Sequence, residues 1–245
     1  MRKCFQSRWQ RMGLTAVAVA LVCWVWGSLP AHPFSVAEDE IGGVPLQTHP
    51  LPSTLPPFDW EVSDYFDRLH LTPVGALVWS SFPVRVYIDT DAPAIWQAAV
   101  QSIVAEWGAY LPLAVVADAE AADIAVWRRN PPPRRENGEL RAASARTTYE
   151  LYWDERVLRH RFTIAVSPTQ VGDYVKSAVR HELGHALGIW GHSDRETDVM
   201  FFSQVRRPAS ISTRDVNTLR RVYEQPTRLG WERETEAEAA TNALE

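Results

Sequence analysis

The chain contains 245 residues with a formal net charge of −5, and this weak negative charge argues against nucleic-acid binding, which requires a concentrated basic surface. Its two cysteines, Cys4 and Cys23, lie close to the N-terminus, so the rest of the chain can form neither a disulfide nor a thiolate metal site. The length suits one domain of about 150 residues, accompanied by a leader, a linker and a tail.

Residues 1–31 have the features of an export signal. Basic residues precede an apolar run over residues 14–26, which is the order found in signal peptides. The run is shorter than the roughly 20 residues that a membrane span needs. We therefore predict a secreted, periplasmic or extracellular protein, and residues 1–31 are either cleaved as a signal peptide or kept as an anchor. Contact with a membrane is expected only in the second case.

Residues 32–78 are predicted to be a Pro-rich linker or a pro-segment, because they contain many prolines and few helix signals. Residues 59–71 are the exception, since a short helix there would place four apolar residues on one face: Phe58, Val62, Phe66 and Leu69. Two placements of this helix stay open. It packs on the following domain, or it occludes the cleft of that domain.

Residues 79–226 are predicted to form a single domain of the α+β class. Five segments have the composition of β-strands, and the fourth of them places Thr, Tyr, Leu and Trp at every second position. The predicted strands cover residues 82–89, 113–117, 123–127, 146–153 and 161–166. Together with helices between and after them, these strands predict a mixed, twisted sheet with helices packed on one side.

The first helix is predicted to begin near Pro93, with Asp91 as its N-terminal cap. Aromatic and aliphatic residues at helical spacing are typical of a core-facing stripe. The predicted stripe consists of Ile95, Ala99, Ile103 and Tyr110, flanked by Trp96 and Trp107.

Residues 128–139 are predicted to form a polar, non-helical loop, because they contain three consecutive prolines and four arginines. The arginines are interpreted as solvated, and the alternative is that they attract acidic substrates. His160 is the one histidine between residues 128 and 167, so this region offers no second histidine cluster.

A second helix, from about residue 171, is predicted to carry a metal site. His181 and His185 are four residues apart, so both imidazoles lie on one helical face and reach one ion. Glu182 lies beside that face, where it can deprotonate a water molecule. Gly188 can end the helix in a left-handed turn and bring His192 back as a third ligand. Three protein ligands leave one position open, which is typical of catalytic zinc.

The C-terminal part contains a third predicted helix within residues 211–223. Ser212 followed three residues later by Asp215 forms a capping signal. One apolar face is predicted to follow it, consisting of Val216, Leu219 and Tyr223. Residues 227–245 are predicted to be an acidic, disordered tail.

The metal motif, followed by Met200, resembles the signature of the metzincin metalloproteases, in which a Met-containing turn follows the third histidine. Ser193 directly after His192, and the helix within residues 211–223, are similar to the matrixin branch. The resemblance implies a metzincin-like catalytic domain, with an active-site helix, a C-terminal helix and Met200 as an apolar floor under the ligands. It also implies that the strand at the sheet edge, for which residues 146–153 are our candidate, binds the substrate backbone. The alternative is that residues 146–153 are an ordinary edge strand.

The sequence departs from the family pattern in three places. The third histidine is expected at position 191, which is Gly191 here, and we expect a positive backbone torsion at Gly191 to absorb the extra residue. If the turn does not absorb it, an oxygen ligand comes from Asp194, Glu196 or Asp198. The cysteine switch that keeps many matrixins latent is absent. The paired aspartates that hold an activated N-terminus are replaced by Arg214 and Asp215.

The sequence therefore predicts an exported zinc-dependent endopeptidase, a monomer that acts on proteins or peptides, with Glu182 as general base. The alternative is a non-catalytic, zinc-containing module that binds a component of the cell envelope. No Asp-rich loop of the EF-hand type occurs, and calcium binding stays open.

Overall fold

The computed structural model of the chain describes residues 41–233, apart from residues 42, 71, 137, 138, 142 and 204–208. All described residues belong to one compact unit. The predicted leader and most of the predicted acidic tail lie outside the described residues.

A mixed five-stranded sheet forms the frame of the domain, with strand order β2-β1-β3-β7-β6. The first four strands in this order are parallel to one another, and β6 is antiparallel to β7. This confirms the prediction of an α+β fold with a mixed sheet. The strands are β1 (Val84–Ile88), β2 (Leu113–Val116), β3 (Ile124–Trp127), β6 (Ala145–Asp154) and β7 (Val157–Val166).

The predicted polar loop contains strands, so that prediction is wrong in part. β4 (Arg134–Glu136) and β5 (Glu139–Arg141) form a separate antiparallel pair. The sequence between them is Asn137-Gly138, a dipeptide that often connects hairpin strands. This dipeptide was a sequence signal for a hairpin. The prolines and arginines of the segment led instead to the prediction of an irregular loop.

Three helices accompany the sheet: α1 (Ala94–Gly108), α2 (Asp173–Ala186) and α3 (Thr213–Tyr223). α1 and α2 pack on each other and on the sheet, and α1 supplies the crossover that two adjacent parallel strands, β1 and β2, require. The indole Nε1 of Trp107 on α1 donates to the carbonyl oxygen of Arg180 on α2 at 3.0 Å. This bond fixes α1 against the helix that carries the metal motif.

The buried face of α1 is shifted along the sequence from the predicted face, from Ile95 to Trp96 and from Ala99 to Val100. Ile95 is 84 % exposed, and the buried residues are Trp96, Val100, Ile103, Val104 and Trp107. Asp91 does not cap the helix, because the N-cap position is Pro93 and it makes no side-chain capping bond. Several adjacent apolar residues at the helix start allow two faces, and packing of the large Trp96 ring selects the observed one.

Residues 43–70 and 72–78 contribute to the core of the domain, since Val44, Leu55 and Tyr65 are buried. The predicted helix over residues 59–71 is wrong apart from a short 3-10 turn, Phe66–Arg68. Side chains of α3 bind the backbone here in place of helical hydrogen bonds. Asn217 bonds the backbone of Asp59 and Val62 at 2.8 to 2.9 Å.

α3 agrees with the sequence prediction. Ser212 accepts a bond from the Asp215 backbone N–H at 3.1 Å, and the Asp215 carboxylate accepts one from the Ser212 N–H at 2.8 Å. The predicted apolar residues are buried: Val216, Leu219 and Tyr223. The folded part continues beyond Pro226, because Thr227 and Leu229 are also buried.

His160 is a core residue. Its ring stacks on Trp79 with a centroid distance of 4.1 Å, and burial lowers its pKa to about 3. The imidazole is therefore neutral at physiological pH. Trp79 in turn donates from Nε1 to the carbonyl oxygen of Ala186 at 2.9 Å, which ties this part of the core to the last residue of α2.

Within the described residues, no helix has the length and apolar character needed to cross a membrane.

Replacing each of the two isoleucines of α1 by alanine tests which face of the helix is buried. We expect Ile103→Ala to lower the free energy of unfolding by about 2 to 5 kcal/mol, because it removes a fully buried side chain. Ile95→Ala is the matched control and is expected to stay within about 0.5 kcal/mol of the wild type, since Ile95 is exposed. Urea denaturation of both variants provides the comparison. Equal losses would contradict the assigned face.

Candidate metal centre

Three histidines converge on one point from two pieces of chain. His181 and His185 lie on α2, and His192 lies in the loop that follows it. One ring nitrogen from each of them lies within 4.8 Å of the other two. The rings of His181 and His185 are almost perpendicular, at 88°. The three histidines are therefore close enough to bind one metal ion.

Backbone carbonyl groups orient two of these rings. The Nδ1 of His181 donates to the carbonyl oxygen of Val199, and the Nδ1 of His185 donates to that of Ile189, each at 2.8 Å. Each bond fixes the tautomer and leaves Nε2 as the free metal-binding atom. Burial lowers the pKa of His185 well below its usual value, which favours the neutral imidazole that a metal requires.

The loop after α2 brings His192 into the group despite the extra residue. Gly188 has a φ of +125°, as expected for a turn that ends a helix. Two tight turns follow, because the N–H of Trp190 bonds the Gly188 carbonyl at 2.8 Å and that of Gly191 bonds the Ile189 carbonyl at 3.0 Å. These consecutive turns shorten the path from α2 to His192 and absorb the extra residue.

Gly191 does not have the positive backbone torsion that we predicted, since it is not among the positive-φ glycines of the described residues. It is needed for close approach. A methyl group on Gly191 would lie 2.8 Å from both the carbonyl oxygen of Arg68 and the Cα of Leu69. The N–H of His70 also bonds the Trp190 carbonyl at 2.9 Å. The segment before the sheet thus braces the third-ligand loop.

The carboxylates considered as alternative ligands do not join the histidines. Among the described residues, the group that could hold a metal contains His181, His185 and His192 alone. Asp198 pairs with the guanidinium of Arg214, and Asp194 pairs with Arg68 at 2.9 Å. Both carboxylates are therefore engaged elsewhere in the structure.

Glu182 is buried beside the histidines, with 8 % of its surface exposed. The hydroxyl of Thr147 on β6 lies 2.6 Å from its Oε2 and 3.0 Å from its backbone carbonyl oxygen. Burial raises the pKa of this carboxyl, while His181 and the Thr147 bond oppose the rise. Sequence reasoning missed Thr147, because its role arises only when β6 packs against α2.

Met200 packs against the helix that carries both histidines. It is fully buried, and a methyl group added to Gly184 would collide with its sulfur atom. The carbonyl oxygen of Met200 accepts the N–H of Ser193 at 2.8 Å, directly after His192. Sequence reasoning also missed the role of Gly184. A glycine inside a helix lowers the stability of the helix, so its presence here was a sequence signal for close packing.

A buried carboxylate, Asp215, supports this turn from α3. It accepts the Tyr65 hydroxyl at 2.5 Å and the N–H of Val199 at 3.0 Å. Val199 is the residue whose carbonyl orients His181. Arg214, next to Asp215, forms a buried ion pair with Asp198 and also donates to the Asp64 carbonyl at 3.1 Å. These contacts join the segment before the sheet, α3 and the metal-binding loop.

The histidines open into a cleft of about 920 Å³. β6, which is an edge strand of the sheet, forms one side of it through residues 145–147. Phe201, Phe202 and His70 also line the cleft. The cleft therefore combines a metal-binding group, a buried carboxylate and a strand edge that can pair with another chain.

No family model matches the sequence, and no curated protein matches it.

The same Gly→Ala substitution at two helical positions tests the packing of Met200. We expect Gly184→Ala to lower the free energy of unfolding by about 1 to 3 kcal/mol and to reduce metal content, because the new methyl group displaces Met200 or shifts α2. Gly108→Ala at the end of α1 is the control, since nothing lies within 4 Å of its added methyl group.

Urea denaturation and metal analysis of both variants give the readouts. Gly108→Ala is expected to equal or exceed the wild type in stability. Identical behaviour of the two variants would show that the contact between Gly184 and Met200 has no energetic importance.

Proposed function

We propose that the protein is an exported zinc-dependent endopeptidase of the matrixin-like metzincin type. The observation that carries the proposal is the position of Glu182. A buried carboxylate lies beside three converging imidazoles, at the side of a cleft bordered by an edge strand. A site that only holds a metal has no need of a buried base.

The donor set fits zinc. Three imidazoles are ligands that Zn²⁺ accepts, and three protein ligands leave a position for water or substrate. The bonds from Nδ1 of His181 and His185 to backbone carbonyls are the kind of support that orients zinc-binding histidines. When bound there, zinc supplies Lewis acidity, which polarises a peptide carbonyl and makes water easier to deprotonate.

The residues of the chain account for the proton transfers. Glu182 accepts a proton from the attacking water as the new C–O bond forms. The same carboxyl then gives a proton to the amide nitrogen as the C–N bond breaks, so water is consumed and an acid and an amine result. Thr147, at 2.6 Å, holds one carboxylate oxygen and fixes the direction of the other.

The edge of β6 supports binding of an extended peptide. In the described part of the chain β6 has a strand on one side only, so the N–H and C=O groups of its other edge can form an added strand with the substrate backbone. Binding of this kind selects unfolded or loop segments, because a residue within a folded helix or sheet has no free backbone groups to offer. The export signal predicted in residues 1–31 supports an activity outside the cytoplasm.

The experiment is cleavage of an unfolded protein by the purified chain, with and without a chelator, followed by addition of Zn²⁺. We expect activity that the chelator removes and zinc restores. A non-catalytic, zinc-containing envelope-binding module predicts zinc binding with no cleavage under any of these conditions. That result would reject the proposal.

Variants of the site test the separate roles. We expect Glu182→Ala to keep its zinc and to lose turnover by about 10²- to 10⁴-fold, the usual contribution of a general base. His185→Ala is expected to lose both zinc and activity. Glu196→Ala is the matched control, because this exposed glutamate lies outside the metal group. Metal analysis and a fluorogenic peptide assay measure these quantities, and wild-type turnover by Glu182→Ala would remove the base assignment.

A further inference from the structure

Arg146 is a positively charged residue at the border of the cleft. It lies on β6, directly before Thr147, and it is one of the residues that line the cleft. It is half-buried. Among the described residues, no carboxylate forms an ion pair with it. A cation in this position is available to a ligand.

The other charged groups of the cleft do not neutralise Arg146. Asp198 is already paired with Arg214. Glu182 is held by Thr147. Burial raises the pKa of Glu182, and Arg146 is one of the groups that oppose this rise. The guanidinium therefore lies within electrostatic reach of the proposed base. A bound divalent metal would make the cleft still more positive.

If a peptide adds to β6 as a strand, one of its residues lies opposite Arg146. A peptide paired with the edge of β6 has side chains that alternate between its two faces, in step with those of β6. The residue opposite Arg146 then lies on the same face, with Cβ atoms about 4.5 to 5.5 Å apart. Thr147, the next residue of β6, points to the opposite face and contacts Glu182. The peptide residue opposite Arg146 is therefore close to the scissile bond along the chain, with its side chain on the Arg146 face.

We propose that the protein selects peptides carrying Asp or Glu next to the scissile bond or about two residues from it, and that Arg146 recognises the carboxylate. The inference rests on the proposed peptidase function and adds a substrate class to it. A guanidinium suits this task, because its planar fork can bind both oxygens of a carboxylate.

The test uses pairs of fluorogenic peptides that are identical except for Glu or Gln at one position, scanned on both sides of the cleaved bond. We expect the wild type to have a kcat/KM about fivefold higher for the Glu member at one position, the size typical of a partly exposed charge pair. Arg146→Gln should equalise the pair, Arg146→Glu should reverse it, and Arg146→Lys should keep part of it.

Arg159→Gln is the matched control. It removes the same charge from an exposed ion pair with Asp154, at the opposite end of the β6–β7 ladder. We expect it to keep the preference for the Glu peptide. If it abolished the preference, the selectivity would come from overall charge, and the assignment to Arg146 would be wrong.

Binding to Glu182→Ala provides a readout without turnover. Fluorescence anisotropy with the same peptides should show tighter binding of the Glu member, and adding Arg146→Gln should remove the difference. Equal binding and equal cleavage of the two peptides by the parent proteins would overturn the inference while the peptidase function stands. A loss of kcat in Arg146→Gln with an unchanged Glu to Gln ratio would also overturn it. Failure of the wild type to cleave any peptide would reject the function itself.

Discussion

The geometry of the site depends on one buried carboxylate. Asp215 is fully buried, and burial of an unpaired carboxylate costs several kcal/mol. Its cost is offset by bonds from three separate parts of the chain: the Tyr65 hydroxyl, the Ser212 backbone and hydroxyl, and the Val199 N–H. Since the Val199 carbonyl orients His181, a cap on α3 is directly connected to the metal centre.

A second set of contacts places the third ligand. Gly188 ends α2, two tight turns follow, and the backbone of Leu69 lies against Gly191. The segment before the sheet is therefore part of the metal centre's support. Asp198, a potential competing ligand, is held away by Arg214. The arrangement leaves three converging imidazoles and one buried carboxylate at the cleft.

The sequence was sufficient where the information is local. Three local features agree with the structure: the helical spacing of His181 and His185, the helix end at Gly188, and the Ser212–Asp215 cap. Each depends on residues that lie within a few positions of each other. The positions of the five strands of the main sheet were also predicted, because β-branched and aromatic alternation is a local pattern.

The sequence was insufficient where distant segments meet. Thr147 acquires its role from the packing of β6 against α2, and Gly191 is required by the approach of Leu69. Residues 59–71 lack a regular helix because Asn217, far along the chain, binds their backbone. Ile95 and Trp96 are both apolar, so only the assembled core decides which of them is buried.

We propose that three histidines of this chain, including the one displaced by an extra residue, hold one zinc ion with an open position. X-ray absorption spectroscopy of the zinc-loaded protein tests it most directly. We predict scattering from three imidazoles at about 2.0 to 2.1 Å with one further light-atom ligand, and two imidazoles in His192→Ala. An imidazole count that does not change when His192 is removed would contradict the account.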